Sequence, residues 1–498
     1  MAHDKTYVRI LKATTLLGGA SVVAVLLGML RTKVFAAKLG PEMFGVMSIY
    51  NAIIGLVIQI TSLGLGQSAV REIAAAATDN PNHVGNVIIS LRRLVLMSGV
   101  VGMAGLIVAA SYVSIWSFGD AAHSTSIALL SLAVLFTQVQ TGQAAVIQGL
   151  RRIRDLGAIN VLGALLGTCC AIPLVYLYGQ HAVAPFLIAV AAGQLVVNWW
   201  YASRVPLPET KVSWGETWQH SRSMLKLGLA MVTAGIAVSV SVFAIRVIIQ
   251  RAAGEAAVGQ YQAAFAISTI YVGFILQAMA GDYYPRLCGL GGDVRKRNEC
   301  VNEQLEMALL LGVPGLLAAI LYSDMLIELL YSSQFTQASG VLRWHAIGVL
   351  GRLISWPLGF ILIGLADKRA FLLTEVTIAA LHIVLVVCGV RWWGVVGAGA
   401  AFAALYVVYV AVIYAIVRTR HSFEIQPRTA RLVLASVCAT LLAFGLTFVE
   451  HQWIRSGLGA VLLAVVSLSA FSALSRRIGG NIGVLAIQAV VKRCGLAR

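Results

Sequence analysis

The sequence predicts an all-α integral membrane protein with about fourteen transmembrane helices. Hydrophobic residues make up 59% of the 498 residues and charged residues only 11%, whereas about a quarter of the residues of soluble proteins are charged. The mean hydropathy is +0.86. The basic residues behind the net charge of +17 recur in short gaps between apolar runs. That distribution is typical of cytoplasmic loops and argues against a nucleic-acid partner.

Apolar runs of membrane-spanning length give the order of the elements. They lie at approximately 10–37, 43–66, 91–116, 125–148, 156–178, 182–201, 223–250, 256–281, 303–322, 341–365, 370–390, 394–417, 431–449 and 456–475. We therefore predict an amino-terminal six-helix lobe over 1–206, a cytoplasmic linker over 207–222, a carboxy-terminal six-helix lobe over 223–420, and two further helices with a basic tail over 421–498.

The loops on one side of the membrane carry nearly all of the Lys and Arg residues. With the amino terminus inside, the outer segments hold only Lys38, Arg251, Arg391 and Arg455. Because cytoplasmic loops are enriched in basic residues, this bias predicts that both termini are cytoplasmic and that the number of spans is even.

The two six-helix halves repeat in sequence. Arg31 and Arg246 are 215 positions apart, and Gly40 and Gly254 are 214 apart, with further matches in equivalent loops. Six helices return the chain to the same side of the membrane, so the repeats are parallel. Transporters built from such halves place the substrate path between them.

Charged residues inside the apolar runs are the candidate functional residues. Arg31 and Lys33 lie in the first run, Arg246 in the seventh and Arg352 in the tenth. A mid-bilayer arginine costs about 2.5–3.5 kcal/mol on insertion scales, so such residues are expected to face a hydrated interior or one another. We predict that these four line a cationic cavity and bind an anionic substrate. The alternative, strongest for Lys33, is snorkelling to the headgroups.

The acidic residues within the runs are fewer. Asp282 and Glu306 are candidates for coupling transport to an ion. Asp282 is equally consistent with a plain helix-end charge, and for Glu306, as for Glu375, a structural pairing with an arginine is the preferred interpretation. The interior therefore has an excess of basic groups.

Enzyme signatures are absent from the sequence. It contains neither a GxxxxGK(S/T) phosphate loop nor an HExxH zinc pair, and the seven cysteines include no CxxC. The predicted outer loops are too short for a catalytic domain. We therefore expect a protein that is not an enzyme and that needs no cofactor or metal.

Four loose motifs lie in order along the chain: Arg31 with Leu39, Gly40, Pro41, Phe44 and Gly45; Arg71-Glu72-Ile73-Ala74; Met224-Leu225-Lys226-Leu227-Gly228-Leu229; and Tyr284-Pro285-Arg286-Leu287. In order, spacing and helix layout they resemble the bacterial polysaccharide flippases, which export O-antigen and exopolysaccharide repeat units. The resemblance covers nearly the whole chain. One departure is Ala230, where that family often has proline.

The resemblance implies the fold of the multidrug and oligosaccharidyl-lipid exporters, with two six-helix lobes in a V around a central cavity. It also implies a substrate, an undecaprenyl-pyrophosphate-linked oligosaccharide, turned from the cytoplasmic to the periplasmic leaflet of a bacterial inner membrane. The implied partners are membrane lipids, a polymerase and other polysaccharide assembly proteins.

Other functions remain open at this point. A multidrug exporter of the same fold would need acidic residues inside the amino-terminal spans, and none is evident there. The sequence does not clearly distinguish a polysaccharide repeat-unit flippase from a flippase for the murein precursor lipid II. A scaffold role would leave the intramembrane arginines unexplained.

Overall fold

A computed structural model describes residues 2–79, 81–205, 212–290 and 293–477. Part of the predicted linker and the basic tail after residue 477 lie outside these ranges. The described chain forms the helices α1 (Ala2–Thr61), α2 (Leu65–Asp79), α3 (Pro81–Phe118), α4 (Ser124–Gly149), α5 (Ile153–Tyr178), α6 (Val183–Ser203), α7 (Trp214–Gly289), α8 (Val294–Leu321), α9 (Ser323–Leu330), α10 (Ala338–Gly364), α11 (Lys368–His421), α12 (Pro427–Leu446) and α13 (Gln452–Arg477).

Within the described ranges, ten helical segments are long and apolar enough to cross a bilayer. Four of them contain 44, 51, 46 and 54 residues, about twice the length of one span. Each of the four is interrupted near its middle: at Gly40 (φ 75°), at the 3₁₀ turn Gly179–Ala182, at Gly254 (φ 82°) and at Gly394 (φ 57°). The described segments thus provide about fourteen crossings, and the predicted all-α membrane fold is confirmed.

Two short helices lie almost entirely outside the predicted apolar runs. In α2, Leu65, Ala69, Ile73 and Ala76 are buried, at the spacing that places them on one face of a helix. Sequence hydropathy misses such an element because its other face is polar. The second, α9, is eight residues long.

Aspartates cap the starts of two helices. The side chain of Asp293 accepts from the Lys296 backbone N–H at 3.1 Å, and that of Asp367 accepts from the Ala370 backbone N–H at 3.2 Å. These backbone bonds are the main cause that lowers the pKa of both carboxyl groups. Each aspartate therefore fixes the first turn of the helix that follows it.

The chain divides into two compact units. The first comprises Met1–Gln262 with Leu330–Phe335, and the second comprises Ala263–Leu329 with Thr336–Arg498. In the first unit the short segment Leu330–Phe335 packs against α1, where the ring of Phe44 contacts the rings of Tyr331 and Phe335 at 5.3 and 5.7 Å.

The two repeats meet inside the first unit at equivalent positions. A Cβ atom added to Gly45 of α1 would collide with the Glu255 carbonyl oxygen, and one added to Gly259 of α7 would collide with the Pro41 carbonyl oxygen. Three residues further along each helix, the Ser48 hydroxyl donates to the Gln262 side-chain oxygen at 2.9 Å, across 214 positions. Since repeat-related residues touch each other directly here, this crossing lies near the pseudo-twofold axis that relates the two segments.

The close helix crossing predicts a sharp steric effect. Gly45→Ala should lower the melting temperature of the purified protein, because overpacking a tight contact costs about 1–3 kcal/mol. Gly55→Ala is the matched control on the same helix, since nothing lies within 4 Å of its added Cβ. Equal melting temperatures for the two variants in detergent would contradict the crossing.

The predicted orientation has its own test. Reporter fusions after Arg154 and Lys368 should signal a cytoplasmic location, and fusions near Gly119 and Ser332 a periplasmic one, because basic loops stay inside. A cytoplasmic signal at Gly119 would overturn the predicted topology.

Candidate functional site

Arg246 on α7 is almost fully enclosed by protein. The fractional exposure of Arg246 is 6%. Its Nε donates to Ser48 Oγ at 2.7 Å, Nη1 to the Val242 carbonyl at 2.8 Å, and Nη2 to Gln262 Oε1 at 2.6 Å. All three guanidinium nitrogens are therefore engaged with protein acceptors, and Arg246 ties together the two helices that cross at Gly45 and Gly259.

Arg31 on α1 has a different environment. Its guanidinium carbon lies 5.9 Å from the centroid of the Phe186 ring, and Gly167 leaves room beside it, since an added Cβ there would lie 3.7 Å from Nη1. In the part of the chain that the structure describes, no hydrogen bond or ion pair engages the Arg31 side chain. The residue lies nine positions before the Gly40 break, about 14 Å along the helix, a distance close to half the thickness of a bilayer core.

The register of the repeats explains why the two arginines differ. Arg31 precedes its glycine break by nine residues, and Arg246 precedes Gly254 by eight. One residue rotates a side chain by about 100° around an α-helix. Arg31 and Arg246 therefore point to different sides of their helices even though both motifs align in sequence.

Lys33 lies two residues after Arg31 and is exposed. Two residues correspond to about 200° around the helix, so Lys33 projects from nearly the opposite side of α1. The structure thus does not bring Lys33 and Arg31 onto one face of this helix.

Arg352 lies in the second unit, at a cavity between α10 and the two halves of α11. The cavity has a volume of about 230 Å³, and Arg352 and Glu375 are the charged residues that line it. The Tyr409 hydroxyl donates to Glu375 Oε1 at 3.3 Å. The sequence identifies both residues as charges inside apolar runs. It contains no signal for the surrounding aromatic residues, because they are typical of any apolar helix.

The two candidate coupling acids have protein partners. Glu306, which is 4% exposed, accepts from Thr429 Oγ1 at 2.6 Å and forms an ion pair with Arg477 of α13. Asp282 is 77% exposed at its side chain and lies 3.5 Å from Arg286 Nη1, one turn away. These contacts favour a structural pairing for Glu306 and a helix-end charge for Asp282, the alternatives that the sequence also allowed.

Comparison with known proteins places the chain in a family. The sequence profile of the polysaccharide biosynthesis proteins matches residues 34–340, which is more than half of the chain and includes both α1 from Val34 onwards and the whole of α7. The chain belongs to the polysaccharide biosynthesis protein family. The resemblance carried by the four short motifs is thereby confirmed.

Two relatives of this polysaccharide biosynthesis protein are flippases by name. This chain is 23% identical over 408 residues to the lipid III flippase of Escherichia coli, and the aligned region covers 80% of this chain and 95% of the relative. It is 22% identical over 376 residues to the probable low-salt glycan biosynthesis flippase Agl15 of Haloferax volcanii, covering 75% and 76% of the two chains.

Solved structures with the same fold are transporters. The lipid II flippase MurJ in an inward closed conformation superposes with a TM-score of 0.70 at 11% identity, over 93% of this chain and 99% of that one. An inward-facing multidrug MATE transporter of the MOP superfamily gives 0.70 at 15% identity, over 80% and 94%. At these identities the likeness concerns the fold, and it confirms a multi-pass membrane protein.

The buried ion pair in the second unit of this polysaccharide biosynthesis protein gives a prediction. Arg477→Ala should strongly destabilise the protein, because a buried carboxylate without its partner costs about 3–5 kcal/mol. The neighbouring Arg476→Ala is the control, since Arg476 is exposed and, among the described residues, its side chain bonds only to the Ser472 carbonyl of its own helix. Thermal unfolding in detergent distinguishes the two, and equal curves would exclude a structural role for the pair.

Proposed function

We propose that this protein is a flippase that moves undecaprenyl-pyrophosphate-linked oligosaccharide repeat units from the cytoplasmic to the periplasmic leaflet of a bacterial inner membrane, for surface polysaccharide biosynthesis. The observation that carries the proposal is the environment of Arg31. It is a guanidinium near mid-bilayer that rests on an aromatic ring and has no hydrogen-bonding or ion-pairing partner among the described residues.

An arginine in that position needs an anion or water. Its five N–H donors form a planar fork that fits two oxygen atoms of a phosphate at once. A pyrophosphate crossing the membrane needs such a partner, because a bare charge in hydrocarbon is very costly. The energetic needs of the residue and of the substrate therefore match.

Arg246 has another role in this proposal. Three protein acceptors occupy its nitrogens, so substrate would have to displace existing bonds in order to bind there. We therefore assign Arg246 to holding the crossing of α1 and α7, and we assign substrate contact to Arg31, with Lys33 a weaker candidate.

Membership of the polysaccharide biosynthesis protein family and the names of the two flippase relatives support the substrate class. Transport of this kind breaks no covalent bond, so the protein is proposed not to be an enzyme. Lacking a phosphate loop for ATP, it is proposed to draw on an ion gradient or the membrane potential. The proposed partners are the membrane lipids and, at the outer leaflet, a polymerase and other assembly proteins.

The role of Arg31 can be tested in cells. In a strain lacking its own flippase, Arg31→Ala should abolish surface polysaccharide at an unchanged amount of membrane protein, because the anion loses its main proposed partner. Arg31→Lys should restore only part of the export, since lysine keeps the charge but loses the planar fork.

Lys38→Ala serves as the control on the same helix, where Lys38 is exposed and lies 5.4 Å from the Tyr176 ring. It should export like the parent. Normal export by Arg31→Ala would refute the anion-binding role. Arg246→Ala should instead reduce the amount of folded protein, which separates a structural defect from a transport defect.

The flippase activity itself is testable in ATP-free proteoliposomes. A fluorescent disaccharide on undecaprenyl pyrophosphate should exchange leaflets in the presence of a pH or sodium gradient. Exchange that required ATP would contradict the proposed energy source, and no exchange under any gradient would contradict the flippase.

A further inference from the structure

The cavity at Arg352 is a compact pocket within the second unit. Its volume of about 230 Å³ exceeds the roughly 150 Å³ that suffices for a benzene ring and falls below the 300–1,000 Å³ of sites for drug-sized ligands. The pocket therefore fits one six-membered ring with its substituents. It lies in the half of α10 that leads to the loop before α11, on the predicted cytoplasmic side.

Five aromatic side chains line the pocket: Trp356, Phe360, Phe371, Tyr406 and Tyr409. The rings of Trp356 and Phe360 lie one helical turn apart with centroids 4.5 Å from each other.

The five aromatic residues that line the pocket, here called the aromatic wall, are packed against a further aromatic residue outside the pocket. Tyr283 is fully buried, its ring lies 5.6 Å from that of Phe360, and its hydroxyl donates to the Pro357 carbonyl at 2.8 Å. The wall is therefore held in place before any ligand arrives, which reduces the entropy lost on binding.

The charges in the pocket are balanced and not directly paired. Arg352 and Glu375 both line it, yet no ion pair within 4 Å joins them among the residues that the structure describes. A guanidinium and a carboxylate held apart in this way can donate to one hydroxyl oxygen and accept from its neighbour. The Tyr409 and Ser355 hydroxyls add further polar groups to the same lining.

From this arrangement we infer that the pocket binds a single sugar ring of the lipid-linked substrate, an inference that rests on the proposed flippase function. The aromatic faces pack against the apolar C–H faces of the ring, and Arg352, Glu375 and Tyr409 hydrogen-bond its hydroxyls. An isoprenoid chain could form a hydrogen bond with neither Arg352 nor Glu375. A site for an aromatic or quaternary cation is expected to contain an acidic group whose charge is not balanced. Here the positive charge of Arg352 balances the negative charge of Glu375.

Gly359 offers a steric probe of the pocket. A Cβ atom added there would lie 3.8 Å from the Tyr409 hydroxyl oxygen, an ordinary contact, and the residue lines the cavity. Gly359→Ala thus places a methyl group in the pocket without a clash. Gly273→Ala is the matched control, because Gly273 lies in the same unit with nothing within 4 Å of the added atom.

The test measures binding to the full-length purified protein in nanodiscs. The probes are undecaprenyl pyrophosphate alone and the same lipid carrying galactose, glucose or N-acetylglucosamine, with tetraphenylphosphonium as the cationic probe. The parent should bind at least one sugar-bearing lipid about tenfold more tightly than the bare lipid, as expected for hydrogen bonds to charged groups. Gly359→Ala and Glu375→Gln should remove that preference and leave the affinity for the bare lipid unchanged, while Gly273→Ala keeps both.

The outcomes separate the two proposals. Binding of the bare and sugar-bearing lipids with equal affinity, or a preference that survives in both pocket variants, would overturn the sugar pocket and leave the flippase intact. Binding of tetraphenylphosphonium that depends on Glu375 would likewise overturn it in favour of a cation pocket. Failure of the parent to bind any undecaprenyl lipid would refute the proposed function itself. The steric variant keeps the test valid if Glu375→Gln does not fold.

Discussion

The first unit depends on one close helix crossing. At Gly45 and Gly259 the backbones of α1 and α7 approach until only hydrogen atoms fit between them. Within membranes, where lipid tails are as apolar as leucine, small residues at such crossings supply packing that the hydrophobic effect does not. Hydrogen bonds among Ser48, Gln262 and Arg246 then fasten the same crossing one turn further on. A buried arginine is tolerated there because every nitrogen has an acceptor.

The state of its hydrogen bonds distinguishes a structural arginine from one available to a ligand. Arg246 and Arg31 stand in equivalent spans and would cost similar free energy in bare hydrocarbon. Arg246 recovers that free energy from protein acceptors, whereas the Arg31 guanidinium lies over the Phe186 ring and has no hydrogen-bond acceptor among the residues that the structure describes. The difference arises from a single residue of register before the glycine break, because one residue turns a helix by about 100°.

In the second unit, two intramembrane acidic residues have different surroundings. Glu306 forms an ion pair with Arg477 and accepts a hydrogen bond from Thr429, so this acid connects α8 to α12 and α13. Arg352 and Glu375, which are half-buried and not directly paired, line a cavity together with five aromatic side chains. In the proposed flippase, Arg31 of the first unit contacts the pyrophosphate, and this cavity of the second unit binds a single sugar ring.

The sequence by itself determined that lipid surrounds this protein, about how many times the chain crosses the membrane, and which family it belongs to. The length of the apolar runs follows from the thickness of the bilayer, and Gly40, Gly254 and Gly394 break the long helices at the boundaries between the predicted runs. The sequence also identified the charges inside the spans, since each is costly wherever it points. It did not determine their partners, because direction around a helix and contacts between distant segments depend on packing. Only the tertiary structure decided that Arg246 bonds to Ser48 and Gln262, that Glu306 meets Arg477, and that the aromatic residues around Arg352 line a cavity.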